Sequence, residues 1–269
     1  CFANMLGLSI SSAFRSAKVI YIIIPLLIIP QIIFGGAIVR FDRFNPVFTE
    51  VDRVPWIGNI MASRWGFESL AVSLTRDNQA DAPFIELEDR LERSAWRRDF
   101  WGKAYDDMLI PKKQMSERSM ALAELKGWGV PMNEDATITE LMGAFKNVYK
   151  QSFRERDSLR RSLSTSINLE AMKDTYHNDA LHSWVMQTDR KGRISNTSRG
   201  LIQETAFIHQ MPGTKQAWNA PFYAPYKRIG VWTMKTPYFN AAVLWSMIFL
   251  LYGLLANRIP ERIGYRRRS

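Results

Sequence analysis

The sequence predicts an all-α membrane protein, with two complete transmembrane helices flanking a large, mainly helical extracytoplasmic domain. Three observations predict it. Residues 19–39 read VIYIIIPLLIIPQIIFGGAIV, 21 positions without a charge, and residues 238–256 read YFNAAVLWSMIFLLYGLLA, another 19. A helix rises about 1.5 Å per residue and needs roughly 20 apolar residues to cross a hydrocarbon core of about 30 Å. The third observation is where the charge sits. The net charge is +10, yet the stretch from Phe41 to Thr236 holds 28 Lys and Arg against 25 Asp and Glu, leaving 8 against 1 outside it. A mean hydropathy of −0.20 averages over these unlike parts.

Taken in order, residues 1–18 read as the end of a preceding membrane helix and a cytoplasmic elbow, SSAFRSAK. The chain starts without Met and in apolar sequence, which is expected of a piece of a longer polypeptide. Residues 19–40 are the first complete span. Ile and Leu occupy every angular position, so no polar stripe marks it as a soluble core helix. Pro25 and Pro30 predict kinks, because proline removes a backbone donor, and Gln31 beside them is expected to face protein or a pathway and not lipid. Gly35 and Gly36 allow close helix approach or a break into the outer segment. Residues 41–75 form an outer re-entrant or interfacial segment. Its first part is broken by Pro46 and Pro55, and Ile60 to Leu74 is amphipathic, with Trp65, Phe67 and Leu70 among polar groups.

Residues 76–236 form the extracytoplasmic domain. From Pro83 to Met108 the positions Phe84, Leu87, Leu91 and Ala95 recur at helical spacing, with acids early and bases late as the helix dipole favours, and Pro111 ends the run. Helices follow at Ser116 to Gly127, at Ile138 to Leu163 and at Asn168 to Val185, while 189–200, DRKGRISNTSRG, reads as a loop or hairpin turn. Residues 237–257 are the second span. Residues 258–269 are a basic cytoplasmic tail, and Lys and Arg flanking the spans put both membrane ends of the chain on the cytoplasmic side. The nearly balanced middle argues against nucleic acid as a partner. Cys1 is the only cysteine and allows no intrachain disulfide, which favours a bacterial envelope over a secreted eukaryotic domain.

Motifs for catalysis are missing from the sequence. It contains no G-x-x-x-x-G-K-[ST] phosphate loop, no G-x-S-x-G elbow and no H-E-x-x-H pair. Of the three histidines, His177 and His182 are five apart and so off a common helical face, and no cysteine joins them, so no metal site is expected. The carboxylates interleave with arginines and read as a solvated surface.

The order of IPLLIIPQIIFGG, VPWIGNIMASRWGFESLAV, a long outer insertion, FYAPYKRIG and TPYFNAAVLWSMIFLLYGLLANRIPER resembles the C-terminal membrane portion of ABC-2 type permeases, closest to the G-subfamily-like bacterial ABC transporters. Ile29, Pro30, Gly35 and Gly36 match the break in that family's fifth span. Ser63 to Leu70, including Arg64, Phe67 and Glu68, match the segment just outside it. The resemblance covers roughly 1–75 and 220–262. It implies an exporter in the bacterial inner membrane that works as a homodimer, with ATP and Mg bound by a cassette domain outside this chain. It also makes Gln31, Phe34, Gly35, Gly36 and Asn240 candidates for lining the translocation path. Arg64, Trp65, Phe67 and Glu68 then belong to the outer interfacial segment. Two other classes share the coarse topology: a two-span extracytoplasmic sensor or receptor, and an envelope scaffold subunit.

Overall fold

Uncharged sequence at both ends of the chain becomes helix, and the charged middle becomes a set of shorter helices. In a computed structural model the described residues are 1–14, 16–41, 54–187, 194–197, 200–210 and 220–260. They fall into two units, one made of Cys1–Ala71, Gly213–Phe222 and Tyr226–Ser269, the other of Val72–Pro212 and Tyr223–Pro225.

The first unit contains α1 (Phe2–Ala13), α2 (Ala17–Ile33), α3 (Trp56–Ile60) and the start of α4 (Ala62–Arg76). Strands β3 (Tyr226–Ile229) and β4 (Trp232–Lys235) and helix α11 (Thr236–Ala256) complete it. Helix α11 is 21 residues long with a mean hydropathy of 1.9 and only 11% of its apolar window buried. Among the described residues it alone is long and apolar enough to cross a membrane. Helix α1 packs along it. Helix α2 covers only part of the span expected over 19–40: it runs 17 residues to Ile33, roughly 25 Å of rise, so a second complete span is not confirmed. Its end has a local cause. Gly36 takes φ +79°, a left-handed conformation that halts a right-handed helix. Pro25 and Pro30 both lie inside the helix.

The second unit holds α5 (Ile85–Trp96), α6 (Gly102–Asp106), α7 (Pro111–Gly127), α8 (Ile138–Ser166), α9 (Leu169–Tyr176), α10 (Asp179–Met186) and the hairpin of β1 (Ile194–Thr197) and β2 (Gly200–Gln203). A π-helical turn, Arg97–Trp101, joins α5 to α6 and turns Trp101 fully inward. The core is Trp96, Trp101, Leu122, Leu125, Leu141, Phe145 and Val148. In α8, Leu141, Phe145, Val148 and Ser152 are buried at the spacing the sequence predicts, and Leu159 is half-buried. Thr137 and Glu140 start that helix with a reciprocal capping box.

Three expectations for this unit change. Pro111 opens α7 at its first position instead of only closing the preceding run, because a missing N–H costs nothing there. The helix expected over Asn168 to Val185 is two helices, since Asn168 and Asn178 each cap a new start. The reading of 189–200 as a loop or hairpin turn narrows to a hairpin, whose strands at 194–197 and 200–203 pair antiparallel with Ile194 opposite Gln203. Pro46 and the basic residues 261–269 lie outside the described residues.

Candidate functional site

The first unit is built around charge. Arg64, Glu68, Lys227 and Asn240 are all fully buried. Arg64 and Glu68 are one turn apart on the same face of α4, 3.5 Å between Nη2 and Oε2. Period-2 alternation in β3 turns Lys227 inward, where its Nζ donates to Glu68 Oε1 at 2.8 Å. Asn240, in the first turns of α11, donates to the other carboxylate oxygen at 2.8 Å and to the Trp65 carbonyl at 3.1 Å. Glu68 thus ties α4 to β3 and α11, which lie far along the chain. The Arg64 guanidinium lies over the Trp65 ring, 3.7 Å from its centroid. Its three nitrogens have no hydrogen bond among the described residues.

Two cations face one anion here. Burial pushes the Glu68 carboxyl up, but Arg64, Lys227 and the Asn240 amide outweigh it and hold it below its ordinary value. Burial lowers Lys227 to about 8, with Glu68 opposing and Arg64 adding to the fall. Removing either charge from water without a partner is costly, so the arrangement holds α4, the β3–β4 hairpin and α11 to one geometry.

The candidates on α2 meet α4 as well. Gln31 accepts from the Ser63 backbone N–H through Oε1 at 3.0 Å, and its carbonyl accepts from Ser63 Oγ at 2.5 Å. Gly35 lies against the same serine, where an added Cβ would come within 2.7 Å of the Gln31 carbonyl. Gly36 sits under the Phe222 ring, and Phe41 meets Phe222 edge-on at 4.8 Å. Phe34 is half-buried, with its carbonyl near Gly58. Pro25 is exposed and Pro30 half-buried.

The structure therefore brings Gln31, Gly35 and Asn240 onto α4. Asn240 is enclosed and donates to Glu68. The outer segment differs from its expected amphipathic form in the same way. Arg64, Trp65 and Glu68 point inward, Phe67 is half-buried against Phe222, and Leu70 is 63% exposed.

In the second unit part of the arginine–carboxylate interleaving lies at the surface, as in Arg98–Asp99 and Arg156–Asp157, and part is enclosed. Arg97 is buried and its Nε donates to Glu124 Oε2 at 3.0 Å, beside Arg93, whose Nε donates to Glu124 Oε1 at 2.8 Å. Glu117, also buried, accepts from Trp101 Nε1 at 3.0 Å and from the Leu201 N–H at 2.7 Å. Asp89 accepts from both terminal nitrogens of Arg76 and pairs with His209 Nδ1 at 2.7 Å.

All three histidines line one cavity of about 300 Å³ with Asp81, Glu88, Arg156 and Lys173. His177 Nδ1 pairs with Asp81 Oδ2 at 2.5 Å, and the His177 and His182 rings are 5.0 Å apart. Helical spacing missed this because His177 lies in the break between α9 and α10. No group of three His, Cys, Asp or Glu among the described residues is placed to hold a metal ion.

No protein-family model, no curated protein and no solved structure matches the chain.

Proposed function

We propose that the first unit is a membrane-embedded part of an ATP-driven exporter of the ABC-2 type, powered by a nucleotide-binding cassette outside this chain. The observation that carries the membrane reading is inverted polarity. Arg64, Glu68, Lys227 and Asn240 are enclosed, while Ile22, Leu26, Ile29, Trp245, Phe249 and Leu250 are exposed. The exposed apolar side chains carry the reading, because hydrocarbon favours them and water does not; enclosed charge alone does not, since Arg97 and Glu117 are buried in the second unit too.

On this reading α11 crosses the bilayer, and α2 enters it from the cytoplasmic side and breaks at Gly35 and Gly36. Irregular backbone at that depth is tolerated where protein buries it, and both glycines are buried. The second unit stands outside the bacterial inner membrane, two copies of the protein face each other, and lipid surrounds the helices.

The export reading draws on the order of sequence segments and is supported by the bonding between them. Gln31 ties the broken end of α2 to α4, and Glu68 ties α4 to the hairpin and α11. Motion of α2 driven by cassette closure would then reach α4 and α11 through paired groups, as alternating access requires. This chain carries no catalytic motif of its own, and its work in the cycle is to form and move the path.

The test is ATP turnover by the protein that contains this chain, reconstituted in proteoliposomes. Glu68→Gln is expected to lower turnover that depends on the membrane portion and to leave the isolated cassette unchanged. If that protein neither binds nor hydrolyses ATP, the exporter reading fails and a two-span sensor or scaffold takes its place.

A further inference from the structure

The β3–β4 hairpin ends in an apolar tip that its own unit leaves uncovered. Ile229 pairs with Trp232 across a two-residue connection, Gly230 and Val231. Gly230 has φ +59°, the conformation required at the first position of a type II′ turn. Turn tips are ordinarily polar, yet Val231 is 82% exposed, Trp232 74% and Ile229 55%. Lys227 and Ile229 share a face by period 2, as do their cross-strand partners Met234 and Trp232. At its base this face is covered, with Lys227 enclosed against Glu68 and Met234 half-buried. Toward the tip the same face runs out bare.

We propose that this tip is a lipid-interface anchor, inserting Ile229, Val231 and Trp232 among the headgroups and upper acyl chains of the outer leaflet. The inference rests on the reading of α11 as a membrane span. Strand β4 ends at Lys235 and α11 begins at Thr236, so no loop separates the hairpin from the span. Four strand residues reach about 13 Å, so a hairpin inclined along the membrane surface keeps its tip near the level where α11 leaves the hydrocarbon. The polar zone there is roughly 5–8 Å deep on each side of a bilayer, and Trp and Tyr concentrate in it. Tyr238, in the first turn of α11, is 70% exposed and supplies a second aromatic near that level. Arg228 and the exposed Lys235 flank the apolar group with positive charge suited to lipid phosphates. Both strands of a two-stranded hairpin are edges with outward backbone groups unpaired, so insertion stays shallow, at a level where water and headgroups satisfy them.

The single cysteine makes the test direct. Cys1→Ser supplies a background in which Val231→Cys, Phe249→Cys or Leu109→Cys each carries one environment-sensitive NBD label. Phe249 is 64% exposed on α11, and Leu109 is 95% exposed in the other unit. The full chain is reconstituted in phosphatidylcholine and phosphatidylglycerol vesicles containing lipids with a nitroxide at the headgroup or deep in the acyl chain.

The label at 231 is expected to be quenched severalfold more than that at 109, and most by the headgroup nitroxide, while 249 is quenched most by the deep one. A label at 231 that behaves like that at 109, with 249 still quenched, overturns the anchor and leaves the span intact. A label at 231 that is shielded from water, unquenched by either lipid and crosslinked between copies also overturns it, and assigns the tip to a second copy of the chain. Absence of quenching at 249 removes the span and the anchor together.

Discussion

Glu68 is the residue on which the first unit depends most. Among the described residues it is the one anion facing these two buried cations, so neutralising it leaves Arg64 and Lys227 repelling each other out of water. Glu68→Gln is expected to cost about 3–5 kcal/mol. Lys227→Met leaves the Arg64–Glu68 pair neutral overall and is expected to change stability by less than about 1 kcal/mol. Thermal unfolding of the two variants in one detergent gives the comparison, and equal losses would contradict the charge argument. Lys227 also sets a pH dependence. Its folded value of about 8 lies below the ordinary lysine value near 10.4. Between these the unfolded chain holds a proton that the folded chain has released. Stability from this residue is therefore lowest below about pH 8 and recovers as pH rises toward 10. The rise in melting temperature from pH 7 to 9.5 is expected to be smaller in Lys227→Met than in the parent. The sequence singled out Arg64 and Glu68 in the outer segment and Asn240 for the path, by resemblance and not as one cluster, and it did not single out Lys227. The only local signal for Lys227 was its place, one residue into a short alternating strand, and alternation does not say what the inward lysine will meet.

At the scale of elements, Gly36 and the Arg76–Asp89–His209 group make contrasting predictions. An alanine at Gly36 would have to adopt φ +79° with its Cβ 2.7 Å from the Phe222 ring, and is expected to cost more than about 2 kcal/mol. Gly253, in α11, has nothing within 4 Å of where a methyl group would sit, and is expected to tolerate alanine or gain up to about 1 kcal/mol. Denaturation of the two variants distinguishes a required glycine from an incidental one. Asp89 is raised by burial, but the hydrogen bonds from His209 and Arg76 and the Arg76 charge bring it below its ordinary value. Its stabilising contribution is present above the ordinary aspartate value near 3.9 and is lost as pH falls through the folded one. Asp89→Asn is expected to cost about 2 kcal/mol at pH 7, the partial exposure of the pair reducing the loss, and to flatten the fall in stability between pH 5 and 3. Element existence was legible because apolar spacing fixes which face of α8 or α5 is buried. The breaks were less so. Pro111 and Asn178 each admit an ending or a beginning, and packing decides which.

Across the whole molecule, the nearly balanced middle and the two uncharged runs mark two kinds of sequence; the structure also divides the chain into two units, but the first takes in part of that middle, up to Ala71 and from Tyr226. Hydropathy could not separate a complete span from a helix that ends early, because Gly35 and Gly36 bring no charge into the run and act through conformation. Nor could it foresee that Glu68 and Arg64 turn inward, since that follows from which partners arrive from β3 and α11. The proposed topology has α11 across the bilayer and the second unit outside. In the Cys1→Ser background, Leu109→Cys and Asn257→Cys mark the two sides, and an impermeant maleimide applied to intact bacterial spheroplasts reads them. Leu109→Cys is expected to label without permeabilisation and Asn257→Cys only after it; equal labelling of both in intact spheroplasts would contradict this topology.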